Sequence, residues 1–245
     1  MIWLIPAIAS AALLGGALCL SRLDIPRQRQ REGPEDLEVV SAYDHVSRGL
    51  ALRVARYLAL KRLKALHPFG VLLDVGCGPG YLAAAISRES KGLFVIGVDI
   101  NQDMLNKAAQ NFPVSPGRLE FRKGDALALP FADKYADFIV STGAFHHWME
   151  GARSLQEFHR ILKPGGQFLI LDLRRDARRW FYAIARIAQR LMPADIRRVN
   201  GAVGSIWASY TPSEMDAMLS QSPFQRWKIA PHPGWMFIWG QESAG

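Results

Sequence analysis

The sequence predicts an α/β fold, a mostly parallel sheet covered by helices on both faces. Two observations carry this reading. From Ser47 onward, short apolar runs alternate with segments of helical spacing. The first of those runs leads directly into a turn that holds three glycines. Strands buried on both faces read as unbroken apolar runs, and their alternation with helices marks parallel βαβ units. A chain of 245 residues accommodates one such domain with a sizeable core and a short appendage. With 49% hydrophobic and 21% charged residues, the chain is not of the disordered class.

The appendage comes first. Ile2 to Leu20 carries no charge and one hydroxyl, Ser10. As a helix it would span roughly 28 Å, the thickness of a bilayer core. No Lys or Arg precedes it, and Arg22, Arg27, Arg29 and Arg31 follow. The expectation is therefore a transmembrane anchor over residues 1–21: a single-pass membrane protein with its C-terminal domain facing the cytoplasm. A cleaved signal peptide is the rival, but the basic start that it needs is missing. Residues 22–40 hold Pro26, Pro34 and many charges, and read as a charged, exposed linker.

The domain, residues 41–245, follows. Ser47 to Leu66 is an amphipathic helix by its apolar spacing at Leu50, Val54, Leu58 and Leu63. The predicted strands are Val71–Val75, Leu93–Val98, Leu119–Arg122, Ala136–Ser141 and Gln167–Leu173. The helices between them are Tyr81–Glu89, Gln102–Phe112 and Ser154–Leu162. Ala177 to Met192 again has helical spacing, and Thr211-Pro-Ser-Glu214 opens a helix that ends near Ser220. Phe224–Ala230 and Trp235–Trp239 read as two late strands on an antiparallel edge.

The formal charge of +8 comes largely from arginine, in the cluster after the anchor and in Arg174, Arg175, Arg178, Arg179, Arg186 and Arg190. Such clusters suit nucleic acid or an anionic lipid surface. Zinc-ligand spacing and RNA-binding aromatic signatures are both missing, so neither a metal nor a nucleic-acid partner is expected. The two cysteines, Cys19 and Cys77, make no disulfide framework.

The chemistry is concentrated in Val71-Leu-Leu-Asp-Val-Gly-Cys-Gly-Pro-Gly80. Gly76, Gly78 and Gly80 follow a buried strand and precede a helix, where an open α/β sheet binds a nucleotide-like cofactor. The G-x-G-x-G spacing departs from the G-x-G-x-x-G of dinucleotide binding, and no Lys follows as in a phosphate loop. Asp74 beside the loop would repel a pyrophosphate and suit a cofactor bearing an ammonium and a sulfonium. Asp99 ends the second strand and can accept both ribose hydroxyl protons. Asp125, after the third strand, can accept from an adenine amino group.

Five segments in order resemble the class I S-adenosylmethionine-dependent methyltransferases, type 11 branch, which includes the ubiquinone and menaquinone biosynthesis methyltransferases. They are the glycine loop, Gly97-Val-Asp-Ile-Asn-Gln-Asp-Met-Leu105, Gly124-Asp-Ala-Leu-Ala-Leu-Pro-Phe131, Phe145-His-His-Trp148 and Leu162-Lys-Pro-Gly-Gly166. The resemblance implies a Rossmann-like seven-stranded sheet with an antiparallel last strand. It implies S-adenosylmethionine as cofactor, with Asp74 and Gly76 on its methionine part and Asp99 on its ribose. Ile100 and Met104 would sandwich the adenine, Asp125 and Ala126 would bind its amine and ring, and Ser141 or Thr142 would lie near the sulfonium. Tyr43 resembles a lid contact, and residues 174–210 lie where resembling enzymes build a substrate cover.

His146 and His147 are candidate general bases, weighed against plain packing. Methyl transfer does not require a base, because alignment in a dry pocket serves an acceptor that ionises easily. Asp172 faces the same edge and could equally be solvated. The expected acceptor is a small, hydrophobic, lipid-like or membrane-associated molecule. The alternatives are a protein or RNA methyltransferase, disfavoured by Ser141-Thr-Gly-Ala144 where such enzymes carry Asn-Pro-Pro-Tyr, and a non-catalytic cofactor-binding module.

Overall fold

A computed structural model describes residues 21–28, 37–198 and 201–243. The seven strands are β1 (Gly70–Val75), β2 (Leu93–Asp99), β3 (Leu119–Lys123), β4 (Ala136–Thr142), β5 (Leu162–Leu173), β6 (Arg226–Pro231) and β7 (Trp235–Gln241). They form one sheet in the order β3-β2-β1-β4-β5-β7-β6. The first five run parallel, and β7 is antiparallel to both β5 and β6. This is the Rossmann-like sheet with an antiparallel last strand.

The helices α1 (Leu37–Ser47), α2 (Leu50–Lys64), α3 (Tyr81–Glu89), α4 (Gln102–Asn111) and α5 (Gly151–Ile161) flank the parallel part. Two apolar clusters fill the faces. One gathers Leu73, Ile139, Phe158 and Phe168, and the other Leu72, Ile86, Val95 and Phe138. Leu72 and Leu73 are neighbours in β1, yet both are fully buried, on opposite faces. That explains the unbroken apolar run, since each such side chain contributes roughly 1.5–3 kcal/mol by leaving water.

The cover comprises α6 (Arg179–Arg190), α7 (Ala194–Arg198), α8 (Gly201–Ala208) and α9 (Pro212–Ser220). The opening of α9 is a full capping box between Thr211 and Glu214, with Pro212 at its start, as its sequence foretells. By contrast, α8 has two glycines and no clear period. It is held by burial of Val203, Ile206 and Ala208 rather than by helix propensity.

Two expectations are corrected. No helix among the described residues is long and apolar enough to cross a membrane, which overturns the single-pass membrane placement. The apolar segment Ile2 to Leu20, on which it rested, lies outside the described residues. The second correction concerns residues 22–40, expected as an exposed linker. Their last part begins α1, and residues 21–28 are bound to the cover. Leu23 N–H donates to Ala177 O and Gln28 N–H to Trp207 O, both at 3.0 Å. Arg27 Nε donates to Ala208 O at 2.6 Å and Nη2 to His146 O at 3.2 Å. Its guanidinium lies over the Tyr210 ring, 3.8 Å from the centroid. Many charges suggested solvation, but arginine satisfies otherwise orphaned carbonyls well.

Arg175 anchors the same strap from below. It is buried, donates to Ile25 O and Ser209 O at 2.7 Å each, and pairs with Glu214. Arg175→Met removes donors from two carbonyls and a carboxylate, and should cost roughly 3 kcal/mol. Arg179→Met, at an exposed position of α6, should cost under about 0.5 kcal/mol. Chemical denaturation of the two variants measures the contrast.

Candidate active site

The sheet order reverses between β1 and β4, and crevices form where loops leave such a switch point in opposite directions. The ends of β1, β2, β4 and β5 surround this one. The glycine turn after β1 is tied to β2, with Gly76 N–H and Cys77 N–H both donating to Val98 O, at 2.8 and 3.0 Å. Gly76 has φ +76°, and a Cβ there would meet Ala144 Cβ at 2.4 Å. The turn therefore presses directly on the segment that follows β4. At Gly78, φ is +50° and a Cβ would meet nothing within 4 Å, so the backbone presents an open face. Gly80 starts α3.

Asp99 uses both oxygens, one on this turn and one on the segment after β2. Oδ2 accepts from Gly78 N–H at 2.8 Å and Oδ1 from Asn101 N–H at 2.9 Å. Burial pushes its carboxyl up, and the Asn101 and Gly78 N–H groups hold that rise back. Asn101 in turn caps α4, accepting from Asp103 and Met104 N–H, and so fixes where Met104 sits. Met104 is buried while Ile100 remains well exposed. Ala126 is buried, and Asp125 Oδ1 accepts from Leu127 N–H at 2.8 Å, a local turn closure.

Asp74 is 1% exposed, and neither carboxylate oxygen makes a close, well-aligned hydrogen bond, although the Ala83 backbone N–H lies near enough to favour the ionised form. Burial pushes its carboxyl up to about 7, offset by the Ala83 backbone and reinforced by the Asp99 charge. Ser141, fully buried at the end of β4, also has an unpartnered Oγ. An ammonium or sulfonium beside Asp74 would meet this demand, so the donor set fits a cationic adenosyl cofactor and opposes a phosphate.

The segment after β4 turns at Phe145–His147. His146 is 3% exposed, and its Nδ1 stands 2.7 Å from Asp172 Oδ1. His147 lies with its ring 4.0 Å from that of His146. Burial, then the neighbouring His146, lowers its pKa to about 3, with Asp172 acting weakly the other way. Tyr43 sits apart from this group. It packs on α1 with Val39, Val46 and the cover residue Met192, and burial raises its hydroxyl.

The family model of the methyltransferase domain matches residues 73–170. The chain is 27% identical over 189 residues to the ubiquinone/menaquinone biosynthesis C-methyltransferase of Syntrophotalea carbinolica, covering 76% of this chain and 78% of that one. It is 28% identical over 180 residues to the demethylmenaquinone methyltransferase of Deinococcus radiodurans, 72% of this chain and 74% of the relative. This chain is a class I, type 11 S-adenosylmethionine-dependent methyltransferase. An S-adenosylmethionine-dependent methyltransferase structure from Aquifex aeolicus shares the fold, with a TM-score of 0.63 at 19% identity over 85% of this chain and 99% of that one.

In this methyltransferase two residues beside the site stand out only in three dimensions. Asp44, buried in α1, accepts from Tyr81 Oη at 3.0 Å, Asn111 Nδ2 at 2.7 Å and Arg48 Nη2 at 2.8 Å. It ties the helix that carries Tyr43 to the first residue after the glycine turn. Arg27 reaches the His146 carbonyl from the far N-terminal strap. An acid one position after Tyr43 was the only local hint of the first, and nothing local marks the second.

Gly76→Ala must displace Ala144 and hold a left-handed alanine, for a combined cost of about 3 kcal/mol or more. Gly78→Ala meets only the conformational penalty, roughly 1–2 kcal/mol. Comparing the denaturation midpoints of the two variants checks that the turn presses on β4.

Proposed function

We propose that this methyltransferase transfers the S-adenosylmethionine methyl group to a small, hydrophobic acceptor of quinone type. The observation that carries the cofactor assignment is the pair of carboxylates beside one glycine turn, Asp99 bonded to it and Asp74 buried with no close hydrogen bond. Asp74 and the Gly76 backbone take the methionine part, and Asp99 takes the ribose hydroxyls. Ile100 and Met104 flank the adenine, with Asp125 and Ala126 at its edge. Ser141 faces the sulfonium region, and Tyr43 closes from α1. When bound, the cofactor supplies an electrophilic methyl on a positively charged sulfur.

Support for the acceptor comes from the relatives whose names specify ubiquinone, menaquinone and demethylmenaquinone.

Calorimetry on the full chain with S-adenosylhomocysteine and with NAD tests the cofactor assignment. Binding of the first alone is expected. Asp99→Asn should weaken it by roughly 10–100-fold, the worth of a charge-assisted hydrogen bond. Heat with NAD and none with the adenosyl ligand would sink the proposal. Labelled S-adenosylmethionine with a demethylated naphthoquinol should then yield a product heavier by one methyl group, and no transfer would remove the quinone-type acceptor.

The raised carboxyl of Asp74 gives a pH dependence of defined sign. Folding holds a proton that the unfolded carboxyl, near 3.8, gives up, so its contribution to stability falls as pH rises from about 4 to 7. A cationic ligand favours the ionised carboxylate. S-adenosylmethionine affinity should therefore rise as pH climbs through about 7 and then level, with proton release below 7. Asp74→Asn should flatten that profile. Titration calorimetry in buffers of different ionisation enthalpy reads both effects.

A further inference from the structure

We propose that His146, oriented by Asp172, is the general base of this enzyme and that its acceptor is a neutral hydroxyl compound such as a hydroquinone or phenol. This rests on the cofactor reading above and deepens it. It separates His146 from its neighbour, names its orienting partner and specifies which proton is removed.

The geometry is that of a built dyad. His146 stands in the turn after β4, and Asp172 is near the end of the adjacent strand β5. Their side chains are 3% and 4% exposed. The Asp172 carboxylate receives three donors: His146 Nδ1–H and Leu173 N–H on Oδ1, both at 2.7 Å, and His146 N–H on Oδ2 at 2.9 Å. Two contacts from one residue to one carboxylate fix both the backbone and the ring. Because an ionised carboxylate only accepts, the proton stays on Nδ1 and the lone pair is on Nε2. Nε2 is buried and has no hydrogen-bond partner in the protein. A fully satisfied core histidine would have used both nitrogens.

The location suits the task. The segment holding His146 begins at Gly143, and its Ala144 is the residue against which the glycine turn presses. The dyad thus lies on the β4 side of the turn that receives the cofactor. Around His146 the ionisable groups are Asp172 from β5, His147 from its own turn, and Arg27 with Tyr210 from the strap and cover. Arg27 donates to the His146 carbonyl. His147 remains neutral through the neutral range, so it neither competes as base nor repels an imidazolium on His146.

The step balances. The acceptor hydroxyl gives its proton to His146 Nε2 while its oxygen forms a bond to the methyl carbon. The carbon–sulfur bond breaks, and its electron pair remains on sulfur, which becomes neutral. The positive charge passes to the His146 imidazolium, stabilised by Asp172 until the proton leaves to solvent. An acceptor already ionised at neutral pH would leave such a base without use.

The test combines three measurements on the full chain, wild type, His146→Gln, His147→Gln and Asp172→Asn. Calorimetry with S-adenosylhomocysteine should give affinities within about 3-fold for all four, since no residue of the dyad is assigned to the cofactor. Nitrogen NMR of histidine-labelled wild type should show the neutral imidazole of His146 carrying its proton on Nδ1, and Asp172→Asn should move that proton to Nε2. With a prenylated naphthoquinol as acceptor, His146→Gln should lose roughly 100-fold or more in kcat at pH 7. That loss should shrink as pH approaches the acceptor's own ionisation, while His147→Gln stays near wild type. A neutral His146 with its proton on Nε2 overturns the dyad whatever the acceptor. So does a His146→Gln enzyme that binds cofactor and turns over at the wild-type rate at pH 7. Failure of the wild type to bind the adenosyl ligand would instead remove the cofactor reading, a distinguishable outcome.

Discussion

A carboxylate buried at the head of a parallel strand, with no close hydrogen bond to either oxygen, sets the main electrostatic constraint on this site. Asp74 is that group, and the rest of the site is arranged around it. Other carboxylates on the same rim find partners inside the protein. Asp99 takes two backbone amides, Asp172 takes His146, and Asp44 takes Tyr81, Asn111 and Arg48. Among these four carboxylates, Asp74 is the one that makes no close hydrogen bond within the protein. A cation resolves the deficit, and binding and electrostatic relief then become one event.

Topology brings these groups to one place. The crossing from β1 outward to β2 and β3, and then back over to β4 and β5, sends loops to both sides of a single crevice. Side-chain-free backbone at Gly76 lets the two sides touch, so the cofactor turn and the His146 turn share a wall. The cover encloses this rim from β5 onward, and its arginines point inward more often than their number suggests. Arg174 and Arg175 are buried and joined to Asp176 and Glu214.

Much of this was legible in the chain. Buried strands announce themselves as continuous apolar runs, and the order of glycine turn, Asp99 and Asp125 needs only local spacing. The sheet, its antiparallel last strand and the cofactor are therefore sequence-level properties. What escaped is non-local. The helix at Leu37–Ser47 depends on Asp44 finding partners 37 and 67 residues away. The helix at Gly201–Ala208 depends on a buried face that its glycines disguise. The docked strap looked like a solvated linker because charge alone does not say whether an arginine meets water or carbonyls. His146 and Asp172 are 26 residues apart, so their pairing emerges only once β4 and β5 lie side by side.

The strap has a mechanical implication. Its Arg27 holds the carbonyl of His146 with one nitrogen and that of Ala208 with another. The earliest described segment of the chain is thereby clasped across both the hinge of the cover and the bend that bears the imidazole. Tension applied upstream of Ser21 is shared between that guanidinium and the backbone bonds that join Leu23 to Ala177 and Gln28 to Trp207. A cover that swings outward must either carry those eight residues with it or break all of these bonds together, so opening is an all-together event rather than the lifting of one helix.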